Sequence, residues 1–263
     1  LPCFADTFTT KGIRSRLNNY ILGRTLEKIE KPCVANHSLN ASKSLTLLGV
    51  NPSDIVPWDW SPLQVIAKSK SITNDDKPFS LMYIGVLSMA KGVDTVLEAI
   101  ATLKNKGIKI ELNIAGSGNI EFWKNYAKEL GITAQVKFLG MIPSDSVLQG
   151  MRNNTAVVVP SKHEYPEGLP NTIYEALASR SPLIISDHPA FKGRLKPYND
   201  CLSFAAGNAN DLAEKLLELK TNSVLYELIS KNSAEALQGL YIGEDWCDLI
   251  MFFINDPKNK NQW

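Results

Sequence analysis

From residue 80 onward, short apolar runs alternate with longer amphipathic ones. That alternation constrains the fold more than any other feature of the chain. The runs are "LMYIGV" (81–86), "KIELNIA" (109–115), "QVKFLG" (135–140), "TAVVVP" (155–160), "PLIIS" (182–186) and "CLSFAA" (201–206). Each is nearly unbroken in apolar character, as a strand covered on both faces must be. Between them lie segments with helical spacing. Over 93–104, Val93, Val96, Leu97, Ile100 and Leu103 share one face; 120–130, 145–151, 171–179 and 211–219 follow. Strictly alternating β and α units predict an α/β fold with a doubly wound parallel sheet and right-handed crossovers.

The first sixty residues read as a smaller piece of the same kind. "PCFADTF" and "PCVANHS" are strand candidates, 13–29 and 39–48 helix candidates with Gly49 closing the second, and "SDIVPWDW" a strand running into a Trp-bearing linker. The polar stretch 67–78 has no apolar periodicity and is the expected boundary. This gives four expected parts: a partial α/β domain over 1–66, a linker over 67–78, a Rossmann-like domain over 79–241, and a tail over 242–263. In the tail, Trp246, Leu249, Ile250 and Phe253 form an apolar helical face, which needs a surface to cover it.

Bulk properties narrow the function. The 263 residues carry 28 Lys+Arg against 27 Asp+Glu, a net charge of +1, which gives no nucleic-acid footprint. The four cysteines form no CxxC pair, which favours free thiols in a reducing compartment and hence a cytoplasmic setting. No apolar run approaches the roughly 20 residues of a membrane span. The start "LPCFADTFTT" lacks the basic and apolar regions of a secretory signal. It also lacks an initiator Met, so truncation is the expectation.

The chemistry concentrates in "VVVPSKHEYPEGLPNTIYEALASRSP". In a doubly wound sheet, ligands bind at loops leaving the carboxyl ends of strands. This loop leaves a strand near Pro160 and enters a helix near Asn171, whose free N–H groups and dipole suit a phosphate. Glu167 precedes the helix and Glu175 lies one turn inside it. A carboxylate accepts hydrogen bonds and so pairs with vicinal hydroxyls. A carboxylate beside a phosphate-binding helix start suits a ribose; a second, further out, suits a sugar. Two more loops are phosphate candidates. "YIGVLSMAKG" places Gly85 at a strand end and Lys91 before the next helix, a good point charge for phosphate. "NIAGSGN" places Gly116 and Gly118 where a backbone can approach a ligand closely.

As a set and in this order, "GVLSMAKGVD", "NIAGSGN", "VKFLGMIP" and the Glu-x7-Glu block resemble the carboxyl-terminal domain of retaining GT-B glycosyltransferases of family 4. The resemblance covers residues 80 to about 220. It implies that Glu175 binds ribose hydroxyls, Glu167 faces the donor sugar as the catalytic-site carboxylate, and Lys91 contacts the diphosphate. It further implies that amides over Gly168, Leu169, Asn171 and Thr172 hold sugar and phosphate oxygens, beside Gly85, Gly116 and Gly118. The implied reaction moves a hexose from a nucleoside-diphosphate sugar to a glycan or lipid-linked acceptor with retention, without metal or cofactor. The alternatives are a nucleotide-sugar binding fragment without turnover and a sugar-nucleotide epimerase of the same architecture. Three positions depart from the family pattern: Val86 stands for a usual arginine, Arg180 for a usual glycine, and Pro170 brings no N–H. The tail resembles the family's last helix, which crosses back to the first domain. Helix candidate 13–31 carries Arg14, Arg16, Arg24, Lys28 and Lys31. It would allow peripheral contact with anionic lipid at the inner membrane face, although a solvated face is the plainer expectation. His37, His163 and His188 read as turn or surface residues near the cleft.

Overall fold

The computed structural model describes residues 2–8, 12–28, 33–66, 68–71, 78–243 and 245–255. The order is β1 (Cys3–Phe4), α1 (Ile13–Leu26), β2 (Val34–His37), α2 (Leu39–Ser44), β3 (Ile55–Trp58), β4 (Phe79–Ile84), α3 (Val93–Asn105), β5 (Ile110–Ala115), α4 (Ile120–Glu129), β6 (Val136–Gly140), α5 (Ser144–Asn153), β7 (Ala156–Val159), α6 (Asn171–Ala178), β8 (Leu183–Ser186), β9 (Leu202–Phe204), α7 (Ala209–Thr221), α8 (Ser223–Leu240) and α9 (Trp246–Asn255). All the strands are parallel to their neighbours. They form a sheet of order β1-β2-β3 and a larger one of order β6-β5-β4-β7-β8-β9. The fold is α/β and doubly wound, as expected.

The six larger strands fall within two residues of the sequence reading. β4, β7 and β8 bury nearly every residue, the result of helices on both faces. The strand order reverses between β4 and β7. In an α/β fold the ligand crevice lies at such a switch point, outside the carboxyl ends of the strands.

Differences are local. The expected helix over 39–48 is α-helical to Ser44 and then tightens to a 3₁₀ turn over Leu45–Leu48. Gly49 closes it in the left-handed region at φ 86°, where glycine has no Cβ to strain. Helix α1 stops at Leu26; Ile29 and Lys31 lie outside the described residues, as does most of the 67–78 boundary. Of the part that is described, Lys70 docks on the larger unit: its N–H donates to Ser230 Oγ at 2.7 Å and its ammonium to the Asn154 carbonyl. Helix α8 was not anticipated.

Helix α9 lies on the small sheet, where Leu249 is buried with Ala35, Val56 and Trp58. The rings of Trp246 and Trp58 sit 4.6 Å apart. The opposite face of the small sheet is covered by Leu26, Leu45 and Leu48. The Phe253 side chain lies outside the described residues.

Candidate active site

Three loops meet at the crevice and are stitched by backbone. Gly85 N–H donates to Ala115 O at 3.1 Å, Leu87 N–H to Ser117 O at 2.8 Å and Gly116 N–H to Gly140 O at 2.8 Å. Gly116 has φ 138°, and a Cβ there would overlap the Gly85 carbonyl. A Cβ on Gly118 would press on Leu87. The closest approach these glycines permit is therefore between loops, and it shapes the floor on which a ligand would rest. Gly116→Ala should lose about 2–3 kcal/mol of stability, from overpacking and an unfavourable φ. Urea unfolding checks this.

The loop after β7 is tied to the loop after β4. Lys162 N–H donates to Ala90 O at 2.9 Å, and the Lys162 ammonium pairs with Asp94 at 2.5 Å. Gly92 turns left-handed at φ 74° with the Pro160 carbonyl where a Cβ would stand. These ties bring Lys91 onto Glu167, 76 residues later, at 2.5 Å. Ser161 Oγ donates to the same carboxylate oxygen at 2.6 Å. Glu167 is 7% exposed. The Lys91 ammonium also lies 4.4 Å from the centre of the Tyr165 ring. Burial and the Glu167 charge push the phenols of Tyr83 and Tyr165 up, which keeps both neutral.

Leu169 is fully buried in the core under the crevice and fixes the loop before α6. Helix α6 begins after Pro170 with no side-chain cap. Among the described residues, the N–H groups of Gly168, Leu169, Asn171 and Thr172 make no hydrogen bond. A helix start with unbonded N–H groups is suited to an anion, and Lys91 lies on the same loop cluster. Pro170 removes one donor and leaves these four. Asn171 is exposed and Thr172 half-buried, its hydroxyl 3.4 Å from Ile84 O. Glu175 is half-buried, and its carboxylate has no hydrogen bond or ion pair among the described residues. Burial alone raises its pKa. Arg180 occupies a left-handed position at φ 62°, which explains why a glycine suits that place. Its carbonyl and guanidinium are held by Ser230 and Lys231. Val86 is exposed, and Lys91 is the cation paired with Glu167.

The small unit roofs the crevice. A Cβ on Gly168 would overlap the Ala5 carbonyl and lie 3.3 Å from His37 Nδ1. His37 is buried, 3.4 Å from Asp59, with its ring among Trp58, Trp60 and Tyr174. Asp6 follows Ala5, whose carbonyl abuts Gly168, and burial and then the Glu167 charge raise its pKa. His163 is exposed, bonded to Asp187 at 2.8 Å; His188 is buried. Sequence reasoning missed Asp6, Ser161, Tyr165 and the structural role of His188. Ser161 and Tyr165 lie in the very loop it singled out, so position alone could have flagged them.

The fold is of GT-B type, with Lys91 paired to Glu167 and a half-buried Glu175 near the carboxyl ends of β4 and β7. Residues 65–236 match the family model of glycosyl transferases group 1, and the chain belongs to that family. A phosphatidyl-myo-inositol mannosyltransferase of Mycobacterium leprae is 27% identical over 148 residues, 56% of this chain and 38% of the relative. A Campylobacter jejuni N,N'-diacetylbacillosaminyl-diphospho-undecaprenol alpha-1,3-N-acetylgalactosaminyltransferase is 29% identical over 64% of this chain and 43% of its own. The chain spans 34%, 42% and 38% of the lengths of the first three curated relatives. Among solved structures, Anabaena Alr3699/HepE in complex with UDP superposes with TM-score 0.76 at 15% identity, covering 97% of this chain and 71% of that one. At that identity the likeness shows the fold alone.

Proposed function

We propose that this chain is the donor-binding part of a glycosyltransferase that moves a hexose from a nucleoside-diphosphate sugar to a glycan or lipid-linked acceptor, with retention. One observation carries this: a lysine paired with a buried carboxylate lies beside four unbonded amides at a helix start, with Glu175 unpaired one turn away. In this reading Glu175 accepts the ribose hydroxyls. Lys91 and the amides take the diphosphate and offset the charge that grows as it departs. When Lys91 turns to the diphosphate, Glu167 is freed to hold the sugar's hydroxyls. Glu167 is engaged by Lys91 and Ser161, which supports front-face attack over a covalent glycosyl-carboxylate intermediate. Lysine and helix dipole supply the positive charge, so the reading needs no metal.

The lipid-linked option gains support from α1. It exposes Ile13, Leu17, Tyr20 and Ile21 on a helix that also carries Arg14 and Arg24, suited to anionic lipid. No described helix is long and apolar enough to cross a membrane.

The test is a thermal-shift panel of UDP, GDP, ADP and their sugar conjugates, with uridine first because the fold neighbour holds UDP. A ligand at about 100 times its Kd should add about 2.7 kcal/mol. One diphosphate is expected to stabilise the chain; stabilisation by none would sink the proposal. Product analysis without acceptor separates a transferase from an epimerase.

A further inference from the structure

We infer that His188 is a positioning residue: in its neutral form it ties the loop after β8 to the carbonyl of Tyr165 and so holds Tyr165, Lys91 and Glu167 in register for the donor. This rests on the donor-binding reading of the crevice. His188 is 1% exposed, and both ring nitrogens are in use. Nδ1 lies 3.1 Å from the Ala190 N–H, and Nε2 lies 3.0 Å from the Tyr165 carbonyl. An N–H can only donate and a carbonyl can only accept. One tautomer satisfies both contacts: lone pair on Nδ1, proton on Nε2. The cation would present an N–H to the N–H of Ala190 and lose that bond.

The loop after β7 is thus held from the β8 edge at two points. Ser186 Oγ donates to Ser161 O at 2.6 Å, and His188 holds Tyr165. These two points bracket the stretch that carries Ser161 and Tyr165 and leads into Glu167. The Tyr165 ring in turn lies under the Lys91 ammonium. Removing the His188 tie leaves the Tyr165 carbonyl free to turn and carries the ring off Lys91. The titratable groups facing the imidazole are Glu167, His163 and Lys91, with Asp187 bonded to His163. Burial pulls the His188 pKa below the ordinary histidine value, with the Tyr165 bond and Glu167 acting the other way and His163 and Lys91 adding to the fall. The ring is therefore neutral at pH 7, the state the geometry requires.

Two substitutions separate the two contacts. In His188→Gln the amide nitrogen reaches the position of Nε2 and can donate to Tyr165. In His188→Asn the amide oxygen stands near Nδ1 and can accept from Ala190, but nothing reaches Tyr165. Hydrogen exchange of the 161–167 amides in the full chain should be about tenfold faster in the Asn variant and near wild type in the Gln variant. The stabilising nucleotide should bind about tenfold more weakly to the Asn variant and with unchanged affinity to the Gln variant. Below the ordinary histidine pKa the wild-type loop should lose protection beyond the intrinsic rate, and the Gln variant should show no such step. Equal loop exchange in wild type and the Asn variant overturns the inference, and so does faster exchange with unchanged nucleotide affinity. If no nucleotide binds wild type, the donor-site reading falls with the affinity arm. The exchange comparison still decides whether His188 holds the loop.

Discussion

Lys91→Met should reduce transfer by about a thousandfold, the scale of removing a preorganised charge from a developing anion. It should also destabilise the chain by about 3 kcal/mol, because Glu167 is left buried without its cation. Ser161 alone then holds that carboxylate. The double variant Lys91→Met/Glu167→Gln removes the stranded charge. Its stability should recover by about 2 kcal/mol, while activity stays lost. Urea unfolding of the three proteins, with transfer rates beside it, reads both quantities. If the double variant is no more stable than Lys91→Met, the pair does not organise the site as the distances suggest. The outcome also bears on Val86. With an apolar residue where the resembling family has arginine, the proposed reading leaves Lys91 to carry that charge, so its loss should be strongly felt.

Much of this arrangement is legible in the sequence. The strands of the larger sheet are readable as short apolar runs: β7 and β8 are buried on both faces, whereas the edge strand β6 alternates half-buried and exposed residues, and the loop after β7 stands out because two carboxylates interrupt that pattern. The contact between Lys91 and Glu167 was not legible by pairing rules. The two residues are 76 apart in sequence, and only the strand order brings β4 beside β7. Helix α8 escaped for a different reason. Its buried face includes Ser230 and Ser233, whose hydroxyls bond the Arg180 and Ser230 carbonyls. These two serines interrupt an otherwise apolar buried face of Leu225, Tyr226, Ile229, Leu237 and Leu240, because hydroxyls satisfied in this way can sit inside. Gly116 and Gly118 were read for their reach toward a ligand, yet the packing of Gly85 and Leu87 already requires them to lack side chains. His188 carries no spacing signal at all: its importance lies in two backbone partners, which no side-chain pattern records.

Glu175→Leu should weaken nucleotide binding by about a hundredfold or more, since a carboxylate gripping vicinal hydroxyls makes charge-assisted hydrogen bonds of about 1.5–3 kcal/mol each. The same change should raise the stability of the empty chain by about 1 kcal/mol. The two effects have one cause. The carboxylate is half-buried without a partner among the described residues, so the folded state holds its proton more tightly than the unfolded chain, and burial is the reason. As pH rises past the ordinary value near 4.5, the unfolded chain ionises first. Wild-type stability then falls until the folded carboxylate has ionised too, and the leucine variant should lack that segment of the slope. A ligand's hydroxyls would supply the partners that folding withholds, so the penalty in the empty chain becomes affinity in the loaded one. Isothermal calorimetry with the stabilising nucleotide, together with melts across that pH range, separates these contributions. Unchanged nucleotide affinity in Glu175→Leu would place the donor elsewhere, and a stability loss would mean that Glu175 serves the fold.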